Sequence, residues 1–307
     1  MATTITHAEL RRAGLSAPDI AGLVSTGRLH RLRRGVYSHE VEDDAVLRHH
    51  ALITATRLAV DDSCVVSHTS AGVLHGLPVR REALTQVTMT RTSPGHADRS
   101  SHLIMRDTRI TEEEIDRDGE GPTTTLARTV ADIARTEKTP WGVVAVDAAL
   151  RAGLDAGALD AALRVHPRLH GLRRARAVAA FGSALSESPA ESISRWNMAI
   201  AGLPAPVLQH EFFDEQGEFI ARADFFWPDH GLVGEVDGKV KYGELLRPGQ
   251  TAEDAVMQEK RREGRLRAQG LYLERWGWDV ATSPTRLERL LRPALLGATR
   301  RRDAYPV

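Results

Sequence analysis

The sequence predicts an α+β protein in three segments, and three observations lead to that reading. Near the N-terminus two helix-capping signals stand close together, followed by a basic, apolar alternation around a glycine. The middle mixes helical periodicity with short β-branched runs. The last third opens with a capped helix and continues as strand, turn, strand, turn, strand, with carboxylates on the last two strands. The expected domains are residues 1–40, 41–180 and 181–307.

In order, Thr6-His7-Ala8-Glu9 has capping-box form, so a helix starts at Thr6, runs through Leu10 and stops near Gly14. Ser16 caps a second helix with Pro18 in its first turn; Ile20, Leu23 and Val24 share a face, and Gly27 ends it. Two short helices on a tight turn form a helix-turn-helix. Leu29 to Tyr37 then alternates around Gly35 as a strand pair would, and it carries Arg31, Arg33 and Arg34, with Arg28 just before it. Such a wing places cations on backbone phosphates while the second helix enters the major groove.

Asp43 to Val60 reads as a helix, and Ser67 to Pro78 as a short helix closed by Gly76-Leu77-Pro78. Val87–Thr90 and Leu103–Met105 read as strands separated by a Ser/Pro/Gly-rich loop, Thr92–Ser101. Thr124–Ala134 and Val143–Leu150 are helical, with more helix through Leu163. His68 and His75 are seven apart but lack a third ligand at suitable spacing, so packed or hydrogen-bonded roles are expected. No catalytic constellation stands out here, which points to a scaffold or partner-binding domain.

Ser188, Pro189 and Glu191 open the C-terminal helix, whose face carries Ile193, Trp196 and Ile200. Pro206–Phe213 and Glu218–Phe226 are strands joined by Asp214-Glu215-Gln216-Gly217. Alternation sets Ile220, Arg222, Asp224 and Phe226 on one face. On the next strand, Leu232–Asp237, Glu235 and Asp237 point together, and the right register brings Asp224 to them. Carboxylates so close raise one another's pKa unless a cation compensates, and Mg²⁺ (or Mn²⁺) bound to Asp224, Glu235 and Asp237 is a natural solution. The structural alternative pairs Arg222 with these acids. Glu191 has two readings, a capping box with Ser188 or an acid of the site. Glu253–Ala268 is a helix whose Lys260, Arg261, Arg262, Arg265 and Arg267 suit a backbone-tracking surface. Leu271–Trp276 is the last core strand, and Trp276 and Trp278 are read as packing residues.

Composition bounds the partners. The net charge of zero predicts no acidic partner by itself, so the basic islands at 28–34, 261–267 and 300–302 carry that signal. No apolar run nears the ~20 residues of a membrane span. The first residues lack the regions of a secretory signal, and Cys64 is a lone cysteine; both suit the cytoplasm.

On Gly14-Leu15-Ser16, Ile20, Leu23, Gly27-Arg28-Leu29 and Arg33-Arg34-Gly35-Val36-Tyr37, the start of the chain resembles the winged helix of AbiEi-type antitoxins of bacterial type IV toxin–antitoxin systems. The middle is similar to the domain that follows the wing in such proteins, at Ser67-His68 through Leu77-Pro78, Leu126 to Asp132 and Asp147 to Arg151. The C-terminal third resembles the PD-(D/E)xK restriction-endonuclease-like fold, in its branch related to very-short-patch-repair endonucleases. That likeness rests on Ser188 to Ser192, Gly202-Leu203-Pro204, Ala223-Asp224-Phe225, Glu235-Val236-Asp237-Gly238, Lys241-Tyr242 and Glu259-Lys260-Arg261-Arg262.

The resemblance implies that Asp224 and Glu235 bind metal, with Glu191 as an acid contributed by the first helix. Asp237 occupies the position of the lysine, so the missing positive charge must come from elsewhere. Gly238 bends the strand and makes Lys239 an unreliable continuation, which leaves Lys241 and Lys260. The expected function is a DNA-binding protein with a Mg²⁺-dependent endonuclease-like domain. The alternative is a repressor or antitoxin with an inactive nuclease fold, partnered by a nucleotidyltransferase-type toxin or acting on its gene's promoter. A single winged helix binds weakly, so a homodimer would help, although no residue specifies one.

Overall fold

Two capping boxes set the N-terminal helices. After strand β1 (Thr4–Thr6), the Thr6 amide donates to the Glu9 carboxylate at 2.8 Å and the Glu9 amide returns to the Thr6 hydroxyl, starting α1 (His7–Arg12). Ser16 and Asp19 do the same for α2 (Ala17–Ser25). The wing follows as β2 (His30–Arg33) and β3 (Val36–Ser38), turning at Gly35, whose φ of +80° suits glycine. These strands form an antiparallel sheet in the order β1-β3-β2. Leu10, Ile20, Leu29 and Tyr37 make the core beneath it, with Leu23 and Val24 packed on its edge.

The computed structural model describes residues 4–61, 63–93, 95–237 and 252–304 of an α+β chain. It divides into two units, Met1–Gly182 and Ser183–Val307, so the wing and the middle region share one unit. The second begins beside the boundary expected at 181.

In the first unit α3 (Ala45–Arg57) starts on an Asp44 cap and is shorter at both ends than its periodicity suggests. The rest runs through β4 (Cys64–Val66), α4 (His68–Leu74), β5 (Val87–Arg91), β6 (Asp98–Arg99), β7 (Leu103–Arg106), β8 (Ile115–Asp116) and β9 (Thr123–Thr124). Four helices close it: α5 (Leu126–Thr136), α6 (Thr139–Arg151), α7 (Ala156–Val165) and α8 (Leu172–Phe181). The strands form one sheet in the order β6-β7-β5-β4-β9-β8. Strand β6 lies in the stretch read as loop; two residues become a strand only because Asp98 and Arg99 pair with Met105 and Ile104. Beside the apolar core sits an ionic one. Asp132 is fully buried and accepts from Arg128 and Arg135, both at 2.9 Å; Arg128 also donates to Glu114 at 2.7 Å, which accepts a hydrogen bond from His166 Nε2. Neither His68 nor His75 is positioned as a metal pair: His68 Nδ1 meets the Ser67 hydroxyl, and His75 Nε2 donates to the Thr124 carbonyl.

The second unit is α9 (Pro189–Ile200), β10 (Val207–Phe213), β11 (Phe219–Trp227), β12 (Leu232–Asp237), α10 (Ala252–Ala268), β13 (Tyr272–Gly277), α11 (Trp278–Ala281) and α12 (Pro284–Ala304). The sheet order is β10-β11-β12-β13. The first three strands are antiparallel, while β12 and β13 are parallel, as the intervening α10 allows. One face packs Phe225, Trp227, Leu232, Val236 and Trp276 against Leu287, Leu291 and Leu295; the other packs Phe212, Ile220 and Val233 against Leu266 of α10. Gly234 is required between the two tryptophans, because a Cβ there would lie 2.8 Å from Trp276 and 2.9 Å from Trp227. Trp276 is thus a core residue, stacked on Phe225 with its Nε1 donating to Ser194. Ile200 departs from expectation: it is 60% exposed, because the buried face of α9 runs through Ala190, Ile193 and Met198.

Candidate functional site

Register places the site. Glu235 pairs with Arg275 across β12 and β13. Phe225 pairs with Gly234, so one further step along β11 and β12 sets Asp224 beside Glu235. On the other side, Leu208 pairs with Phe225 and His210 with Ala223, which leaves Gln209 opposite Asp224. A single transverse row therefore runs Gln209, Asp224, Glu235, Arg275. Sequence alternation identifies the two acids of this row but misses its ends. A signal existed for Arg275, a charge inside a core strand; none marked Gln209.

The β11–β12 ladder stops at this row, and Asp224 takes over: its Oδ2 accepts from the Val236 amide at 2.9 Å. Burial, reinforced by repulsion from Glu191 and then Glu235, pushes the Asp224 carboxyl up to about 6, against the pull of the Val236 amide and Gln209. Glu191 comes from the first turn of α9 and is buried. Ser188 does cap that helix, accepting from the Glu191 amide at 3.2 Å. The Glu191 carboxylate does not complete the box. It accepts instead from the Glu187 amide at 2.9 Å and from the Gln209 side-chain amide at 2.8 Å. Glu191 thus lies within electrostatic reach of Asp224 and shares Gln209 with that end of the row.

Glu235 has a different environment. Arg262 grips it through both guanidinium nitrogens at 2.7 and 2.8 Å, and Arg275 adds a third bond at 2.9 Å. Both arginines also bind Glu259, whose carboxyl is held below its ordinary range chiefly by Arg262. Hydrogen bonds to Glu259 and Glu235 in turn raise the Arg262 pKa. Arg275 also reaches Glu263 at 3.6 Å, which Arg267 pairs in turn, so three acids and three guanidiniums share a network with balanced charge. Arg262, expected to track phosphates, faces inward because it shares the inner side of α10 with Glu259 and Leu266, at helical spacings of three and four.

The other expected residues fall as follows. Asp237 is exposed at the end of β12, so Asp224, Glu235 and Asp237 are not brought together as one metal shell. Lys260 is exposed, on a different side of α10 from Arg262. Lys241, with Gly238, Lys239 and Tyr242, lies outside the described residues. Arg222 pairs with Glu187 at 2.8 Å rather than with the site acids. Arg261 is exposed, whereas Arg265 is tied to Asp214 at 2.7 Å. Among the described residues no group of three or more His, Cys, Asp or Glu is arranged to hold a metal ion. The pair that could carry a hard cation is Glu191 with Asp224: two carboxylates close enough to repel. Mg²⁺ asks for no more, since it often takes one or two carboxylates and fills its shell with water.

On the wing, Arg28, Arg31 and Arg34 are exposed. Arg33 is half-buried and donates to the Thr56 carbonyl at the end of α3, so it anchors the wing instead of facing outward. The exposed positions of α2 are Ala17, Pro18, Asp19, Ala21, Gly22 and Ser25; the two polar side chains are engaged locally, Asp19 in the Ser16 capping box and Ser25 on the Gly22 carbonyl. A cavity of about 710 Å³ beside the wing is lined by Leu32, Val41, Ala51, Leu52 and Leu84 among others, and none of the site carboxylates takes part in it.

No protein-family model matches the chain, and no curated protein matches it. Among solved structures, it is similar to the crystal structure of the RV2827C protein from Mycobacterium tuberculosis. The TM-score is 0.41 at 14% identity, over 69% of this chain and 84% of that one. Among the described residues no helix is long and apolar enough to cross a membrane.

Proposed function

We propose that the protein binds DNA and that its C-terminal unit is a Mg²⁺- or Mn²⁺-dependent phosphodiester hydrolase of the endonuclease-like type. The observation that carries this reading is Asp224. It is a partly buried carboxylate set beside Glu191 and Glu235, and burial with their repulsion raises it to about 6. A bound divalent ion would relieve that repulsion, polarise a phosphoryl oxygen and lower the pKa of a bound water. Glu191 and Asp224 would hold the ion. Arg262 from α10 and Arg275 from β13 are committed to Glu235 and Glu259, which sets Glu235 apart from the pair that would bind the ion. The exposed wing arginines bring the duplex by contacts to its backbone.

The test is cleavage of plasmid DNA with Mg²⁺ or Mn²⁺ by wild type, Asp224→Asn and Glu191→Gln. Wild-type cleavage lost in both variants supports the enzyme. Equal activity in all three means a contaminant and ends the reading.

A second reading is favoured by a separate observation, the engagement of both Glu235 oxygens by arginine. In it the nuclease fold is silent and the protein is a cytoplasmic repressor or antitoxin, alone or with a nucleotidyltransferase-type toxin. DNA binding retained by wild type, with neither cleavage nor Mn²⁺ binding, would select it.

A further inference from the structure

Gln209 sits mid-strand in β10 with φ +52°, a conformation that L-residues other than Asn and Asp seldom adopt; among the described residues, His68 at +54° is the other non-glycine example. The ladder is in register on both sides of it, at Leu208–Phe225 and His210–Ala223, so the irregularity is confined to the residue opposite Asp224. The turn in the backbone aims the carboxamide. Its Nε2 donates to Glu191 at 2.8 Å, and the strand register sets Gln209 opposite Asp224, whose carboxyl it helps to keep ionised. A carboxamide nitrogen has two N–H donors and no charge, so one group can serve two carboxylates. Backbone strain held at a cluster of acids indicates a role beyond pairing strands.

We propose that Gln209 is the positioning residue of the cation site, its amide holding Glu191 beside Asp224 before a divalent cation arrives. The inference rests on the reading of those two acids as the cation pair. The amide satisfies the carboxylates without neutralising them, so the site keeps its negative charge and its shape together. An arginine or lysine in the same place would form a permanent ion pair and compete with the metal. Alanine would leave the two acids to repel and separate.

Mn²⁺ binding, followed by the loss of the free-ion paramagnetic resonance signal, tests this on the full chain without reference to cleavage. Gln209→Gly keeps the backbone conformation and removes the amide; Gln209→Asn tolerates the same conformation with an amide one methylene shorter. Mn²⁺ affinity should fall about tenfold in the glycine variant and several-fold in the asparagine variant, the scale seen when groups that orient metal ligands are removed. Gln209→Glu adds a carboxylate where the donor stood. It should lower the thermal midpoint of the metal-free protein and enlarge the upward shift caused by Mn²⁺, a pairing that a merely structural role would not produce. Asp224→Asn is the control for the site. If wild type binds and Asp224→Asn does not, while both Gln209→Gly and Gln209→Asn bind like wild type, the cation site stands and the role of Gln209 is overturned. If wild type binds no Mn²⁺, the cation reading fails and this inference falls with it.

Discussion

At the scale of single residues, buried polar groups carry this protein's pH response. His49 Nδ1 faces the Leu84 carbonyl at 2.8 Å, so that nitrogen bears the proton and Nε2 accepts from the Ser70 hydroxyl at 2.9 Å. The ring is neutral, and burial pulls its pKa from 6.5 to about 4. Burial does the same to His68. Between about pH 6.5 and 4 the unfolded chain therefore binds more protons than the folded one. Stability is complete above 6.5 and is lost as the pH falls, by about 1.4 kcal/mol per unit for each histidine. Urea unfolding at pH 7 and pH 5 should show a loss of about 2 kcal/mol from His49 alone. His49→Gln should show a correspondingly smaller change with pH; an equal change in both proteins would refute the assignment. Asp224 acts with the opposite sign. Burial, with repulsion from Glu191 and Glu235 added to it, raises its pKa from 3.8 to about 6, so folding becomes less favourable as the pH climbs between those values and levels off above them.

Among the elements, the wing separates roles that the sequence groups together. Its four arginines look alike in a basic alternation, yet tertiary packing turns Arg33 onto the end of α3 and leaves Arg28, Arg31 and Arg34 outside. Removing Arg31 and Arg34 together should weaken DNA binding uniformly across sequences. The slope of log affinity against log salt should flatten by about one for each phosphate no longer neutralised. An unchanged slope would place the DNA elsewhere on the protein. Arg33→Ala is expected instead to reduce stability, because it removes the wing's hold on α3. Helix α10 repeats the lesson: a run of cations becomes one inward clamp, Arg262, one tie to the β10–β11 turn, Arg265, and exposed Lys260 and Arg261.

Across the whole molecule, the two units have separate cores. Leu10, Ile20, Leu29 and Tyr37, and the cluster around Ile53, Val66, Val87 and Met89, belong to the first; the two faces of the β10–β13 sheet belong to the second. Residues 183–307 expressed alone should therefore unfold cooperatively and retain far-UV helix and strand signals. A broad, non-cooperative melt would show that the second unit depends on the first.

The sequence alone determined whatever local chemistry decides. The capping boxes at Thr6 and Ser16, the turn at Gly35 and the alternation that sets Asp224, Glu235 and Asp237 on their strands all depend on neighbours within a few residues. Only the tertiary structure decided which acids meet. Register across four strands put Gln209 and Arg275 in the row, and where the β11–β12 ladder ends the Val236 amide donates to Asp224. The start of α9 brought in Glu191 as the acid beside Asp224, while Glu235 went to two arginines and Asp237 to the surface. Alternation specifies the face of a strand, but the separation of charges across a sheet depends on pairings made between residues far apart in the chain.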